Sequence, residues 1–278
     1  MRLASRIANA TAIRSDSPLD EPTMRRYAPS IFATEAHEDR SARYRHIPTI
    51  EVLHGLQANG FQPFAVAQTR VRDEGKRGYT KHMIRLRQQQ RITAAEADEI
   101  ILLNSHDGAS GYQMLAGVIC FACHNGCIVG DMYNDVRIRH TGQVVDAVVE
   151  GAQTIVDQFE LIGDSRKEMK AITLNPAEQQ LFAELALEER YGEEGAKSAP
   201  IAARQLLRPR RVADHGEDIW TIYQRMQENL VRGGLSGTSA TGRAVRTRAI
   251  TGVNQDVKIN RALWKLAEGM RAIKQQEG

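Results

Sequence analysis

Cysteine is scarce in this chain of 278 residues, with only Cys120, Cys123 and Cys127 present. An odd number crowded into one short segment excludes the disulfide framework of a small secreted domain. Long apolar runs are also missing, and none approaches the roughly 20 residues that a membrane span requires. The N-terminus, MRLASRIANATAIRSDSP, has basic residues and little early acid, but no apolar core of signal-peptide type. That composition leaves a transit peptide open, yet the expected location is cytoplasmic, away from membranes. The glycine-rich signatures G-x-x-x-x-G-K-[ST] and G-x-G-x-x-G do not occur, nor does the G-x-S-x-G of a nucleophile elbow. Aromatic residues are few, at 5% of the chain.

What remains is an ordinary globular composition, 42% apolar and 26% charged, sufficient for a buried core. The net charge of +3 hides an uneven distribution. Residues 1–92 carry a balance of +7, residues 93–200 one of −11, and residues 201–278 one of +7. Either the two ends present basic surface, or the segments neutralise one another within the fold or between subunits.

The hydrophobic period changes along the chain. Residues 1–45 show no lasting period and read as irregular. A β-rich domain is expected over 46–140, starting with an amphipathic helix at Thr49–Asn59 that carries Ile50, Leu53 and Leu56 and stops at Gly60. FQPFAVAQTRV and HMIRLRQ alternate as the strands of a hairpin around DEGKRG, with further strands at Glu99–Leu103 and about Met114–Cys123. A second turn is read at Asn125-Gly126. From residue 141 to 231 the period becomes helical. VVDAVVEGAQTIVDQFELI places Val145, Val148, Val149, Ala152, Ile155, Val156 and Phe159 on one stripe. Asn175 and Pro176 open another helix, which runs to about Tyr191. Shorter helices are expected at Ala202–Leu207 and Asp218–Leu230. Residues 232–253, rich in Gly, Ser, Thr and Arg, read as a flexible basic arm. A helix within 254–278, from Val257 to Ile273, closes the chain. The predicted class is α+β: an N-terminal helix with an antiparallel β-meander, then a helical C-terminal half.

Three constellations invite a chemical reading. Cys120-Phe-Ala-Cys123-His124 fits the C-x-x-C-H of covalent haem attachment, and the same cysteines with Cys127 suggest zinc. Alternate residues of a strand point to opposite faces, so Cys120 and Cys123 would not converge there. Buried free thiols are expected, with no metal and no cofactor. The knot Asn104-Ser105-His106-Asp107-Gly108, between two apolar runs, either makes a tight turn or builds a polar site from Asn104, His106 and Asp107. Sequence neighbours do not form a hydrolase triad, so no catalytic residue is assigned.

The third constellation is basic. Arg70, Arg72, Lys81, Arg85 and Arg87 lie on the hairpin, with Arg85 and Arg87 on one strand face. Arg208, Arg210 and Arg211 cluster around Pro209, and Arg243, Arg246 and Arg248 lie in the arm. Guanidinium groups among hydroxyls and backbone amides are what phosphate binding uses. Phe61, Phe64, Tyr79 and Tyr112 are candidates for base stacking, although core packing explains the phenylalanines as well.

The segments RYAPSIFATEAHEDRSARYRHIPT, QTRVRDEGKRGYTKHMIRLR, LLNSHDGASGYQMLAGV, NGCIVGD, ITLNPAEQQ, LLRPRR and INRALW resemble a family of phage/plasmid-like proteins of unknown function. Members occur on plasmids, prophages and integrative elements. This chain departs from the family pattern at ICFACHNGC, where relatives read closer to FRFVCxNGL; Cys120 stands in place of an arginine. The resemblance implies a mobile-element setting and no particular chemistry. By analogy of fold, the helix, meander and helical half are similar in outline to single-strand annealing proteins of recombination. These oligomerise and lay single-stranded DNA along a basic groove. The expectation is a DNA-binding homo-oligomer that is not an enzyme and prefers single strands to duplex. The alternative is an anti-defence factor that binds a host defence protein, with Glu188, Glu189, Glu193 and Glu194 facing that target.

Overall fold

The computed structural model describes residues 11–35, 48–93, 95–108, 110–121, 125–130, 135–138 and 144–277. Cys123 and His124, and residues 1–10 and 36–45 of the segment read as irregular, lie outside the described residues. The class is α+β, as the sequence predicts. The chain divides into two compact units, Met1–Val118 with Asn134–Gln158, and Ile119–Tyr133 with Phe159–Gly278.

The first unit begins with β1 (Ala12–Arg14), α1 (Glu21–Tyr27) and a 3-10 turn at Pro29–Phe32. Residues 1–45 are therefore not irregular throughout. Asp20 accepts from the Thr23 amide at 2.9 Å, and Pro22 suits the first turn, so α1 starts for local reasons. α2 (Thr49–Ala58) buries Val52, Leu53 and Leu56. β2 (Phe61–Gln68), β3 (His82–Gln88), β4 (Glu96–Asn104) and β5 (Tyr112–Cys120) follow, the last ending at Cys120 rather than Cys123. β6 (Asn125–Ile128) belongs to the second unit, so Asn125-Gly126, read as a turn, starts a strand instead. β7 (Val136–Ile138) pairs antiparallel with β5.

In the sheet of this unit the order is β1-β2-β3-β4-β5, and β1 to β4 are mutually antiparallel. The β2–β3 register shifts between Pro63 and Ala65, where proline has no amide to donate. Register places Gln68, His82 and Asn104 in one row, and Val66, Ile84 and Leu102 in another on the same face. Met83, Arg85 and Arg87 take the opposite face. α3 (Val144–Asp157) buries Val148, Ala152 and Ile155. A Cβ on Gly55 would come within 2.6 Å of Val145, so α2 and α3 touch closely there. The expected single helix from Val144 to Ile162 is in fact two, because the Gln158 amide bonds to Ile155, only three residues back.

The second unit is mainly helical: α4 (Phe159–Ala171), α5 (Pro176–Tyr191), α6 (Glu193–Lys197), α7 (Ile219–Arg232) and α8 (Val253–Glu277). Asn175 and Glu178 form a full capping box at the start of α5. Trp220, Tyr223 and Trp264 meet with ring centroids 5.3, 5.9 and 6.0 Å apart and anchor α7 to α8. On β6, the Asn125 side chain donates to the Gln224 carbonyl at 2.9 Å. Cys127 is buried and receives the Gln224 amide, while Cys120 is half-buried. Residues 236–246, expected as part of a flexible arm, are a hairpin of β8 (Ser236–Thr238) and β9 (Ala244–Arg246).

Candidate nucleic-acid interface

The hairpin arginines of the first unit divide into two groups. Arg70 and Arg72 are exposed. Arg85 and Arg87 are only 2% exposed, and both donate to Glu99 at 2.8 Å. Arg87 also lies 4.3 Å above the Phe64 ring. Burial pushes the Glu99 carboxyl up, but Arg85, Arg14 and Arg87 together outweigh it and hold the group below its ordinary range. The reading of Arg85 and Arg87 as phosphate contacts is thus corrected: their donors are committed to an interior carboxylate. Phe61, Phe64 and Tyr112 are likewise core residues, not stacking platforms.

Asn104 and His106 do meet, through a residue the sequence did not single out. The Thr49 hydroxyl, in the first turn of α2, lies 3.0 Å from Asn104 Nδ2, 3.0 Å from His82 Nε2 and 3.1 Å from His106 Nε2. Ser30 donates its hydroxyl to Gln68 Oε1 at 2.8 Å, so it accepts from His82 Nδ1 at 2.9 Å. That assigns the proton of neutral His82 to Nδ1 and makes Nε2 an acceptor for Thr49. With its one donor used, Thr49 accepts from Asn104 and from Nε2–H of His106. Burial lowers the His82 pKa to about 4, against the Thr80 carbonyl and the Asp107 charge. Lys81 is also pushed down by burial, with Asp107 opposing. Asp107 is half-buried and acts on both only through its charge. The network is sealed from solvent, and it clasps α2 to three strands rather than facing a ligand.

Among the described residues, two clefts each bring a basic side chain that the sequence singled out together with a second one. In the first unit a cavity of about 210 Å³ is lined by Thr11, Thr69, Arg70 and Arg77, but also by Glu74, which pairs with Arg77 at 3.5 Å. In the second unit a cleft of about 580 Å³ is lined by Pro200, Arg204, Gln205, Arg208, Ser236, Gly237 and Thr238, with no carboxylate among them.

The second cleft is built by polar staples. Ala203–Gln205 is a 3-10 turn rather than the expected helix, and Gln205 Nε2 donates to the Ser236 carbonyl at 2.8 Å. The Thr238 amide donates to the Pro200 carbonyl at 2.8 Å. A Cβ on Gly237 would sit 1.9 Å from the Pro200 oxygen, so only glycine lets the hairpin dock there. Gly233, at φ +62, turns the chain from α7 into the hairpin against the backbone of 247–249. Ser236 pairs with Arg246, and Thr238 with Ala244, so Ser236, Thr238 and Arg246 share the outward face.

Below the cleft, Asn229 of α7 donates to the carbonyls of Leu206 and Arg208 at 2.8 and 3.0 Å. This fixes the backbone from which the exposed Arg208 side chain projects. Arg210 and Arg211 serve the same scaffold. Arg210 donates to Asn229 at 2.7 Å and to the Gly233 carbonyl at 2.8 Å, and Arg211 pairs with Glu228. Arg243, Arg246 and Arg248 are exposed on or beside the hairpin. The structure therefore places Arg208 at the cleft and Arg246 on the outward hairpin face, while the exposed Arg210 and the half-buried Arg211 bond to Asn229, Gly233 and Glu228 of the scaffold. Arg204, Ser236 and Thr238 were missed in the sequence. Their signals were the four-residue spacing from Arg204 to Arg208 and the two-residue spacing of the hydroxyls.

Similarity to known proteins was found only at the level of sequence. A family described as "Domain of unknown function (DUF932)" matches residues 36–264. The chain is 49% identical over 269 residues to UPF0380 protein YafZ of Escherichia coli (strain K12), covering 97% of both chains. It is also 49% identical over 267 residues to UPF0380 protein YfjQ of the same organism, covering 96% of this chain and 97% of that one. No solved structure matches.

Proposed function

The chain belongs to the DUF932 family, and we propose that within it this protein is a DNA-binding component of a mobile element, favouring single strands and acting without catalysis. The observation that supports this reading is the second-unit cleft. Arg204 and Arg208 line it with no carboxylate among its lining residues, and the exposed Arg246 lies on the outward face of the adjoining hairpin. Guanidinium forks are suited to phosphate oxygens, and an aromatic content of only 5% favours backbone contact over base reading. One cleft holds only a short stretch of strand, so longer contacts require several copies side by side, in line with an oligomer in the cytoplasm. Among the described residues no helix is long and apolar enough to cross a membrane.

The test is binding of labelled single-stranded and duplex DNA across a salt series. Each phosphate neutralised on a single strand adds about 0.7 to the logarithmic salt slope. Sub-micromolar binding that weakens and loses slope in the variant Arg204→Glu with Arg208→Glu is the expected result. Absence of binding at low salt would sink the reading.

A second reading, an anti-defence role against a host nucleic-acid-binding protein, draws on one feature. Glu188, Glu189, Glu193 and Glu194 are all exposed around the corner between α5 and α6. Tight association with a host nuclease, without affinity for DNA, is the result that would favour it.

A further inference from the structure

A groove of about 640 Å³ lies between α5 and α8, away from the residues that line the basic cleft. Lys274 meets Glu178 at 2.9 Å at one end, and Lys258 lies with Glu189 at the other, so the two helices run antiparallel. Leu185, Ala262, Leu266 and Met270 form its floor. Ile273 at its end is 52% exposed, and Leu181, one turn before Leu185 on α5, is 49% exposed. An apolar strip of this kind along a helix pair is a recognised seat for a third helix.

Two observations define the occupant. The first is charge. Lys258, Arg261 and Lys265 follow one another at helical spacing along the α8 rim, and Glu189 is the only carboxylate among the lining residues. The second is Gly269, which is exposed in the middle of α8 with nothing within 4 Å of where its Cβ would be. Glycine there costs the helix about 1 kcal/mol relative to alanine, with no neighbour in the fold that requires it. It leaves room for another backbone to approach closely.

We propose that the α5–α8 groove docks an acidic amphipathic helix of a partner protein. From Lys258 to Ile273 the seat is about 22 Å long, which suits an occupant of about four turns. Its apolar anchors sit over Leu266 and Met270, and its carboxylates face Lys258 and Lys265. A nucleic acid is a poor occupant because the floor is apolar. The proposal does not depend on DNA binding in the cleft.

The probe is a labelled helical peptide of about 16 residues, with leucines at i, i+4, i+7 and i+11 and glutamates beside them. A second peptide carries lysine in place of each glutamate. On the full chain the acidic peptide is expected to bind at least tenfold more tightly than the basic one. Gly269→Leu fills the space and is expected to weaken it tenfold or more without lowering the melting temperature. Lys258→Glu with Lys265→Glu, both at the surface, is expected to reverse the preference between the peptides. Equal binding of the two peptides, no binding of either, or binding unaffected by both variants overturns the proposal. So does a concentration-dependent dimer that Gly269→Leu abolishes, since the occupant would then be a second copy of the chain.

Discussion

Arg85 and Arg87 on β3 and Arg204 and Arg208 beside the hairpin make an instructive pair of regions. Both are arginine pairs at regular spacing, and from the sequence Arg85, Arg87 and Arg208 take the same role while Arg204 is passed over. In the first unit the guanidinium groups face Glu99 inside the sheet and are lost to any ligand. In the second they line an open cleft beside the hairpin strand Ser236–Thr238. The difference comes from what lies opposite. A carboxylate on the neighbouring strand converts a basic face into a structural cluster, whereas a cleft with no carboxylate among its lining residues leaves the charge available.

The comparison breaks most sharply at Glu99. Replacing it by glutamine leaves two buried guanidinium groups without their carboxylate, a change expected to cost about 3–5 kcal/mol in urea denaturation. If the loss is near zero, Arg85 and Arg87 reach solvent and the contrast fails.

The Thr49 network supplies the next largest effect, through pH. His82 is held neutral in the folded chain, with its pKa lowered from 6.5 to about 4. Protonation therefore favours the unfolded chain. The stability contributed by neutral His82 is fully present above pH 6.5 and is lost as the pH falls towards 4. The loss is on the order of 3 kcal/mol. Denaturation midpoints across that window should fall for the native chain and stay flatter for His82→Gln.

On the cleft side the expected changes concern binding and not folding. Arg204→Glu with Arg208→Glu should weaken single-stranded DNA at least tenfold, about 1.4 kcal/mol. It should leave stability within about 0.5 kcal/mol, as befits exposed side chains. A large fall in stability would show that these arginines are structural after all. The smallest effect is at a local contact. Asn175→Ala removes one half of the α5 capping box and should cost about 1 kcal/mol, read from the denaturation midpoint.

Asn175 also shows what was legible. Its partner Glu178 is three residues away, so the cap was visible as Asn-Pro-Ala-Glu. The strand HMIRLRQ was read with its observed bounds, His82–Gln88, because alternation is local. The α2 start at Thr49 was found for the same reason, but its role was not. Thr49 joins His82 and His106 from 33 and 57 residues away, and no pattern in the chain announces such a meeting. The hairpin at 236–246 was hidden by composition. Gly, Ser and Thr read as a loose arm, whereas Gly237 is there because the Pro200 carbonyl lies against it. The division between α3 and α4 was hidden by an apolar stripe that runs on across it.

The sequence by itself determined the α+β class, the Asn175 cap, the bounds of a few elements such as β3 and membership in a family, because these rest on periods and neighbours within a few residues. Tertiary structure alone decided which arginines are free, which histidine is neutral and where a cleft opens. Those properties depend on burial and on partners brought together from distant positions, and charge or hydrogen bonding is fixed only when the opposite group is in place.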